Sequence, residues 1–351
     1  MKYNLNEKSK TKGRKLCIAL LVILVIYSVI AILPRPNNYK FDNPLLKDGK
    51  LPDLIAHRGG AEEFPGNTLE AFYHAYTIDK NVIFETDVSI TKDGVVILCH
   101  DARLDGTTNV SGEIKDWLYT DLVSNPADGG KPVNFGYDNP TDDEVLSGER
   151  KIYTDDKGDK VKPNDLQDVD NKLDGRDNQI YLVTTLEDLL KTFPHNRVSV
   201  EIKQKGDWGE KALNECVKII NKYDAWDRVN LASFYPEIFT KIQKLAKSND
   251  VPDSYMYSPA ITGVIAFYSL SLLQIDNLYF DKITVLQIPM SQYGFNLATK
   301  NLINKAHAHN IAVQYWTVDD VDDMRKLIEL NADGIMTDRP TLLKQVLDEY
   351  R

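Results

Sequence analysis

Several short apolar stretches of this 351-residue chain carry side chains that such stretches seldom hold. Leu54-Ile55-Ala56 runs into His57-Arg58-Gly59-Gly60, so a titratable base and a fixed cation leave one strand together. The two glycines would let backbone and ligand approach closely. In Ile83-Phe84-Glu85-Thr86-Asp87-Val88 the period of two puts Glu85 and Asp87 on one face, about 7 Å apart along a strand. Two such acids repel each other and lose hydration unless a cation compensates; the plain alternative is a pair of rim salt bridges. In Val198-Ser199-Val200-Glu201-Ile202-Lys203 the third carboxylate, Glu201, and Lys203 share the face opposite the three apolar residues. Cys99-His100-Asp101 closes a further run with a second histidine, and Asp101 is either its orienting partner or a cap of the following loop.

Together these residues define a chemistry. Two histidines supply a base and an acid near neutral pH. Three carboxylates suit a hard divalent ion, Mg²⁺ or Ca²⁺, and also accept Mn²⁺. Arg58 and Lys203 beside such an ion would neutralise phosphoryl oxygens. The reaction they could assemble is metal-assisted cleavage of a phosphate ester.

To work, these side chains must come to one place. Strand patterns fall at 53–57, 82–90, 95–100, 198–203, 229–234, 254–257, 283–288, 311–317 and 334–337. Helical patterns fall at 68–79, 185–193, 208–223, 236–247, 298–309, 320–330 and 340–349. Strand–helix alternation of this length predicts an α/β fold, a (β/α)₈ TIM barrel whose catalytic face lies at the C-terminal strand ends. The barrel is expected over 53–345, with an acidic insertion at about 121–178 after the 95–100 strand. The DDKGD run at 155–159 lacks the ligand spacing of a calcium loop and reads as a solvated turn.

The first 52 residues have a different character. Residues 1–15 form a basic tail, with six basic side chains against one acid, in a chain whose net charge is −10. Leu16 to Leu33 carries no charge and is long enough for a single transmembrane helix; a signal peptide is the competing reading. Residues 34–52, rich in Pro, Asn, Asp and Lys, read as a linker. The positive-inside rule leaves the tail cytoplasmic and sends the barrel outside, at the cell membrane. The acidic body argues against nucleic acid as a partner, and three scattered cysteines exclude a disulfide framework.

An ordered series of motifs resembles the glycerophosphodiester phosphodiesterases: LIAHRGG at 54–60, PGNTLEAF at 65–72, ETDVSITKDGVVILCHD at 85–101, LDGTTN at 104–109, TLEDLL at 185–190, VEIK at 200–203, WTVDD at 316–320 and GIMTDRP at 334–340. The resemblance implies a metal-dependent TIM barrel that hydrolyses glycerophosphodiesters to glycerol 3-phosphate and an alcohol. It assigns His57 and His100 as the acid–base pair, and Glu85, Asp87 and Glu201 as metal ligands. Arg58 and Lys203 become phosphate contacts, and Trp316 a wall of the substrate pocket. Gly66, Gly106 and Asp319 stand where the family usually has Glu, Arg and Asn; Glu62 or Glu63 could replace the missing Glu.

The substrate would be a deacylated phospholipid, a lysolipid or a polyglycerol-phosphate polymer. Two alternatives stand beside this: a phospholipase D-like hydrolase of lysolipids, and a non-catalytic envelope-binding barrel. Cys99 reads as a small buried residue, and His74, His195, His307 and His309 as surface or cap residues. The pairs Phe267-Tyr268 and Tyr279-Phe280 read as core or as the wall of an apolar groove. Protease added to intact spheroplasts is expected to digest residues 35–351; protection of the body, or a mature N-terminus near Pro34, would overturn the anchored topology.

Overall fold

The computed structural model describes residues 3–47, 49–136, 181–245, 248 and 251–351, and side chains from residue 12 onward. The rest of the expected insertion and the 155–159 turn lie outside the described residues. The strands are β1 (Asp53–Ala56), β2 (Ile83–Ile90), β3 (Val96–Leu98), β4 (Val198–Ile202), β5 (Val229–Ala232), β6 (Met256–Tyr257), β7 (Val285–Ile288), β8 (Ser291–Gln292), β9 (Phe295–Asn296), β10 (Ala312–Tyr315) and β11 (Gly334–Thr337). The sheet order is β6-β5-β4-β2-β1-β11-β10-β7, with every neighbour parallel. Thr284 N donates to Tyr257 O at 3.1 Å across the remaining gap between β6 and β7, so the barrel is nearly closed.

The helices are α1 (Tyr3–Ala31), α2 (Leu69–Ile78), α3 (Tyr119–Val123), α4 (Leu186–Thr192), α5 (Gly206–Lys222), α6 (Pro236–Leu245), α7 (Ile261–Leu272), α8 (Lys300–Ala308), α9 (Val321–Glu329) and α10 (Pro340–Asp348). Side chains cap several of them where sequence reasoning starts a helix. Thr68 accepts from Ala71 N, Thr299 from Leu302 N, and Thr185 forms a reciprocal capping box with Asp188.

Two expectations need correction. The 95–100 strand is not a barrel stave: β3 folds back antiparallel on β2, pairing Val88 with Leu98. The five-residue connection after Ile90 is too short for a crossover, so only a hairpin can form. The second concerns α7, whose sequence carries apolar residues on every side and therefore shows no helical period. Its Gly263, Phe267 and Ser271 face the barrel, while Ile261, Ile265 and Leu272 are exposed.

Segment 34–52, expected as a linker, is laid against the body. Leu45 is buried with Ile55, Ile83, Met256, Val285, Ala312 and Met336 inside the barrel, below the catalytic end. Asn43 donates to the carbonyls of Thr284 and Asn310, at 2.8 and 2.9 Å. Asp276 is buried and meets Arg35, Lys305 and His309, which makes His309 a buried cap rather than a surface residue. The window Lys12–Ala31 of α1 is long and apolar enough to cross a membrane, and none of it is buried against the body. Its far end is nonetheless fixed: Tyr27 Oη donates to Leu273 O at 2.8 Å, and Asn277 Nδ2 donates to the carbonyls of Ile30 and Leu33.

Leu45→Ala should lower stability by about 2–5 kcal/mol, the usual cost of a truncated buried leucine. A lower urea midpoint with unchanged turnover would show that this segment supports the barrel from the end away from the site.

Candidate active site

Parallel pairing of β2 with β4 sets the centre of the site. The register places Glu85 beside Ser199 and Asp87 beside Glu201, so two carboxylates become lateral neighbours and the third lies one pleat below. Ligand oxygens of Glu85, Asp87 and Glu201 all fall within 4.8 Å of one another. Positive charge gathers around them. Lys203 Nζ is 3.0 Å from Asp87 Oδ1 and 2.9 Å from Glu201 Oε2, and Arg58 Nε is 3.2 Å from Asp87 Oδ2.

Burial dominates the titration of this cluster. It pushes the Glu85 carboxyl up to about 8, aided by repulsion from Asp87. It also raises Glu201, although Lys203 opposes it. For Asp87 burial is outweighed by Lys203 and Arg58, and the carboxyl stays below its usual range. Lys203 itself is raised, because Asp87 and Glu201 outweigh the burial that would lower it.

The donor set fits a hard divalent ion: three convergent carboxylate oxygens, two of them raised above their normal pKa by burial. Among the described residues Asp87 Oδ1 is buried without a hydrogen-bond partner, and the Lys203 ammonium lies 3.0 Å from it.

The two histidines arrive by different routes. His57 follows β1 directly; its Nε2 lies 3.8 Å from Glu85 Oε2 and its Nδ1 2.7 Å from Asp338 Oδ1. Burial pulls the His57 pKa down, but the Asp338 hydrogen bond and the Glu85 and Asp338 charges carry it above the ordinary value. His100 reaches the same end because β3 doubles back: Cys99 N donates to Asp87 O at 3.0 Å. Its Nδ1 is 3.2 Å from Asp101 Oδ1, and burial leaves its pKa below normal. Neighbouring Cys99 is buried, its thiol pushed up to about 11, as befits a packing residue.

A cavity of about 140 Å³ is lined by His57, Arg58, Glu85, His100, Glu201, Lys203 and Trp316, and Asp87 is buried in contact with Arg58 and Lys203. All eight residues singled out in the sequence thus converge. Below them a ring of polar side chains fills the barrel: Gln287 Nε2 donates to Ser199 Oγ and Gln314 Oε1, each at 3.0 Å, and Asn230 Nδ2 to Ser199 and Ser258.

Three supporting residues were given no role in the site by the sequence. Asn67, with φ +62°, donates to Asp87 Oδ2 at 3.1 Å and accepts from Thr86 Oγ1 at 2.8 Å. Its own N–H donates to Arg58 O at 2.8 Å, and Arg58, with φ +52°, turns its N–H to Glu85 Oε2 at 3.1 Å. Asp338 holds His57, and Asp319 holds Asp338 by accepting its N–H at 2.8 Å. Their signal was present in PGNT, WTVDD and GIMTDRP, but no spacing rule links residue 57 to residue 338.

The glycines after Arg58 have a packing role. A Cβ on Gly59 would lie 2.8 Å from Ala71 Cβ, and one on Gly60 2.7 Å from Pro340 Cγ. The close approach that the protein itself shows is to helices α2 and α10. Nor does Glu63 replace the missing Glu: it binds His74 and Thr341, while Glu62 faces Arg339 at 3.7 Å.

Glu201→Gln should weaken Mn²⁺ or Ca²⁺ binding by at least ~10-fold, since even outer partners of metal ligands act on that scale. Calorimetric titration checks it; unchanged affinity would rule out the three-carboxylate site. Asp338→Asn should lower the His57 pKa, because it removes the group that raises it. Ring-proton NMR titration reads the shift, and the limb of the pH–rate profile set by His57 should move to lower pH.

The chain's relationships agree with this geometry. The Glycerophosphoryl diester phosphodiesterase family matches residues 57–342. A lysophospholipase D of Mus musculus is 26% identical over 321 residues, covering 84% of this chain and 86% of its own. A probable glycerophosphodiester phosphodiesterase of Mycobacterium tuberculosis is 27% identical over 298 residues, covering 84% and 89%. Among solved structures, a putative glycerophosphoryl diester phosphodiesterase from Silicibacter pomeroyi superposes with TM-score 0.61 at 18% identity, covering 87% of this chain and 96% of that one. An Oleispira antarctica phosphodiesterase in complex with its product sn-glycerol-3-phosphate gives TM-score 0.58 at 19% identity, covering 85% and 97%. With a matched span that begins at the first histidine and encloses every residue of the site, the chain belongs to the glycerophosphoryl diester phosphodiesterase family.

Proposed function

We propose that residues 53–345 form an extracytoplasmic barrel, held at the membrane by α1, that hydrolyses glycerophosphodiesters to glycerol 3-phosphate and an alcohol. The observation that carries this reading is the convergence of two histidines, three carboxylates and two cations around one cavity. Glu85, Asp87 and Glu201 would hold a divalent ion, Mg²⁺, Ca²⁺ or Mn²⁺, which when bound supplies neutralising charge to a phosphoryl oxygen.

The remaining work falls to the protein's own side chains. Arg58 and Lys203 stabilise charge that builds on the phosphoryl group. The substrate's 2-hydroxyl lies next to its phosphorus, and that proximity replaces much of the entropic cost of recruiting water. One histidine takes the hydroxyl proton as oxygen attacks phosphorus; the other protonates the departing alcohol. A cyclic glycerol phosphate results. Water opens it in a second step, with the two histidines exchanging roles. Asp338 keeps His57 aimed through Nδ1 throughout.

Turnover of a glycerophosphodiester panel by the full chain, with and without chelator, tests the reading; no turnover of any member would overturn it. His57→Ala or His100→Ala should each lower kcat by roughly 10²–10⁴-fold. A 2-deoxy analogue should react far more slowly than its parent, and equal rates would replace the internal nucleophile with water.

A further inference from the structure

A second cavity, a groove of about 440 Å³, opens beside the catalytic pocket and shares Phe234, Gln287 and Trp316 with it. One wall is the outer stripe of α7, where Ile261, Val264, Ile265, Tyr268 and Leu272 follow one helix face. The β8–β9 hairpin makes the other wall, and its Phe295 ring meets Tyr268 edge-on with centroids 5.9 Å apart. Tyr293 and Gly294 turn that hairpin with positive φ, as a type I′ turn requires, and leave Tyr293 82% exposed at the tip. So large a set of outward apolar side chains marks an interaction surface rather than ordinary protein surface.

The occupant follows from what adjoins each end. At the C-terminal end of α7, Leu273 accepts the Tyr27 hydroxyl and Asn277 holds the carbonyls of Ile30 and Leu33. The apolar helix α1 is therefore fixed to the same flank that carries the groove, and a bilayer around α1 reaches that flank. At the other end, Trp316 stands between the apolar groove and the pocket holding Arg58 and Lys203. A matching ligand is amphipathic, with its phosphate among the cations and its apolar part beyond Trp316.

We propose that the groove binds the acyl chain of a 1-acyl lysophospholipid drawn from the membrane that anchors the protein. This rests on the phosphodiesterase reading above and narrows its substrate class. A lysolipid keeps the free 2-hydroxyl that the internal attack uses, whereas a two-chain phospholipid has that oxygen esterified.

The test uses the full chain in lipid nanodiscs with two substrates of one headgroup, 1-acyl-glycerophosphocholine and glycerophosphocholine. Ile265 is 55% exposed and lines the groove but not the catalytic pocket. Ile265→Asp should lower kcat/KM for the acylated substrate by roughly tenfold or more, the scale of a lost apolar contact. Its kcat/KM for glycerophosphocholine should not change, which also shows that the variant folds. A lysolipid carrying a diazirine near its chain end should label residues 261–272 and 291–297 in the parent and not in Ile265→Asp. Equal losses on both substrates, no loss on either, labelling confined to α1, or cross-links joining two copies through the groove would each overturn the proposal. Failure to hydrolyse either substrate would instead overturn the phosphodiesterase reading, and the labelling pattern alone would then decide the acyl site.

Discussion

Compensation of buried negative charge organises this molecule. Asp87 is 1% exposed and Glu85 5%, and each would be strongly disfavoured as an ion alone in such a place. Lys203 and Arg58 reach Asp87 from opposite sides, Asn67 donates to it from below α2, and the Arg58 backbone turns its N–H toward Glu85. Even so, two of the three carboxyls remain above their normal pKa. Burial is the main cause, so the cluster is a group of buried carboxylates whose charge the neighbouring cations only partly compensate.

Much of the local backbone serves that compensation. Arg58 and Asn67 both hold left-handed conformations, which cost energy outside glycine and persist because hydrogen bonds lock them together. Gly59 and Gly60 let the loop fold flat under α2 and α10, keeping His57 and Arg58 on the strand end. The β2–β3 hairpin brings His100 to the level of Asp87 without a crossover helix. Beneath, Ser, Asn and Gln side chains hydrogen-bond to one another inside the barrel and give the charged floor a polar support.

The other end of the barrel has a separate task. Leu45 closes the core there, and the Asp276 cluster with Arg35, Lys305 and His309 fixes the chain as it leaves α1. The chain between α1 and the barrel is thus tied down by ion pairs and hydrogen bonds rather than left as a free linker. The exposed face of α7 and the catalytic pocket then belong to one continuous surface, joined at Trp316.

The sequence by itself determined the barrel class, because strand–helix alternation is a local pattern, and it singled out the charged side chains of the cluster, because period two puts Glu85 with Asp87 and Glu201 with Lys203 on one face of each strand. It also marked α1, since an uncharged run of that length needs no tertiary context to be recognised. Other features depended on contacts between distant residues. Whether Asp87 neighbours Glu201 is a matter of strand register, and whether Asp338 grips His57 depends on β1 pairing with β11. The antiparallel course of β3 was hidden because an apolar run has the same appearance in either direction. Helix α7 was hidden for a related reason: a segment apolar on all sides shows no period, and only the barrel decides which face turns inward. The Pro- and Asn-rich composition of 34–52 predicts a linker, but its asparagines meet open carbonyls at the barrel's base, and only the folded chain brings those carbonyls there.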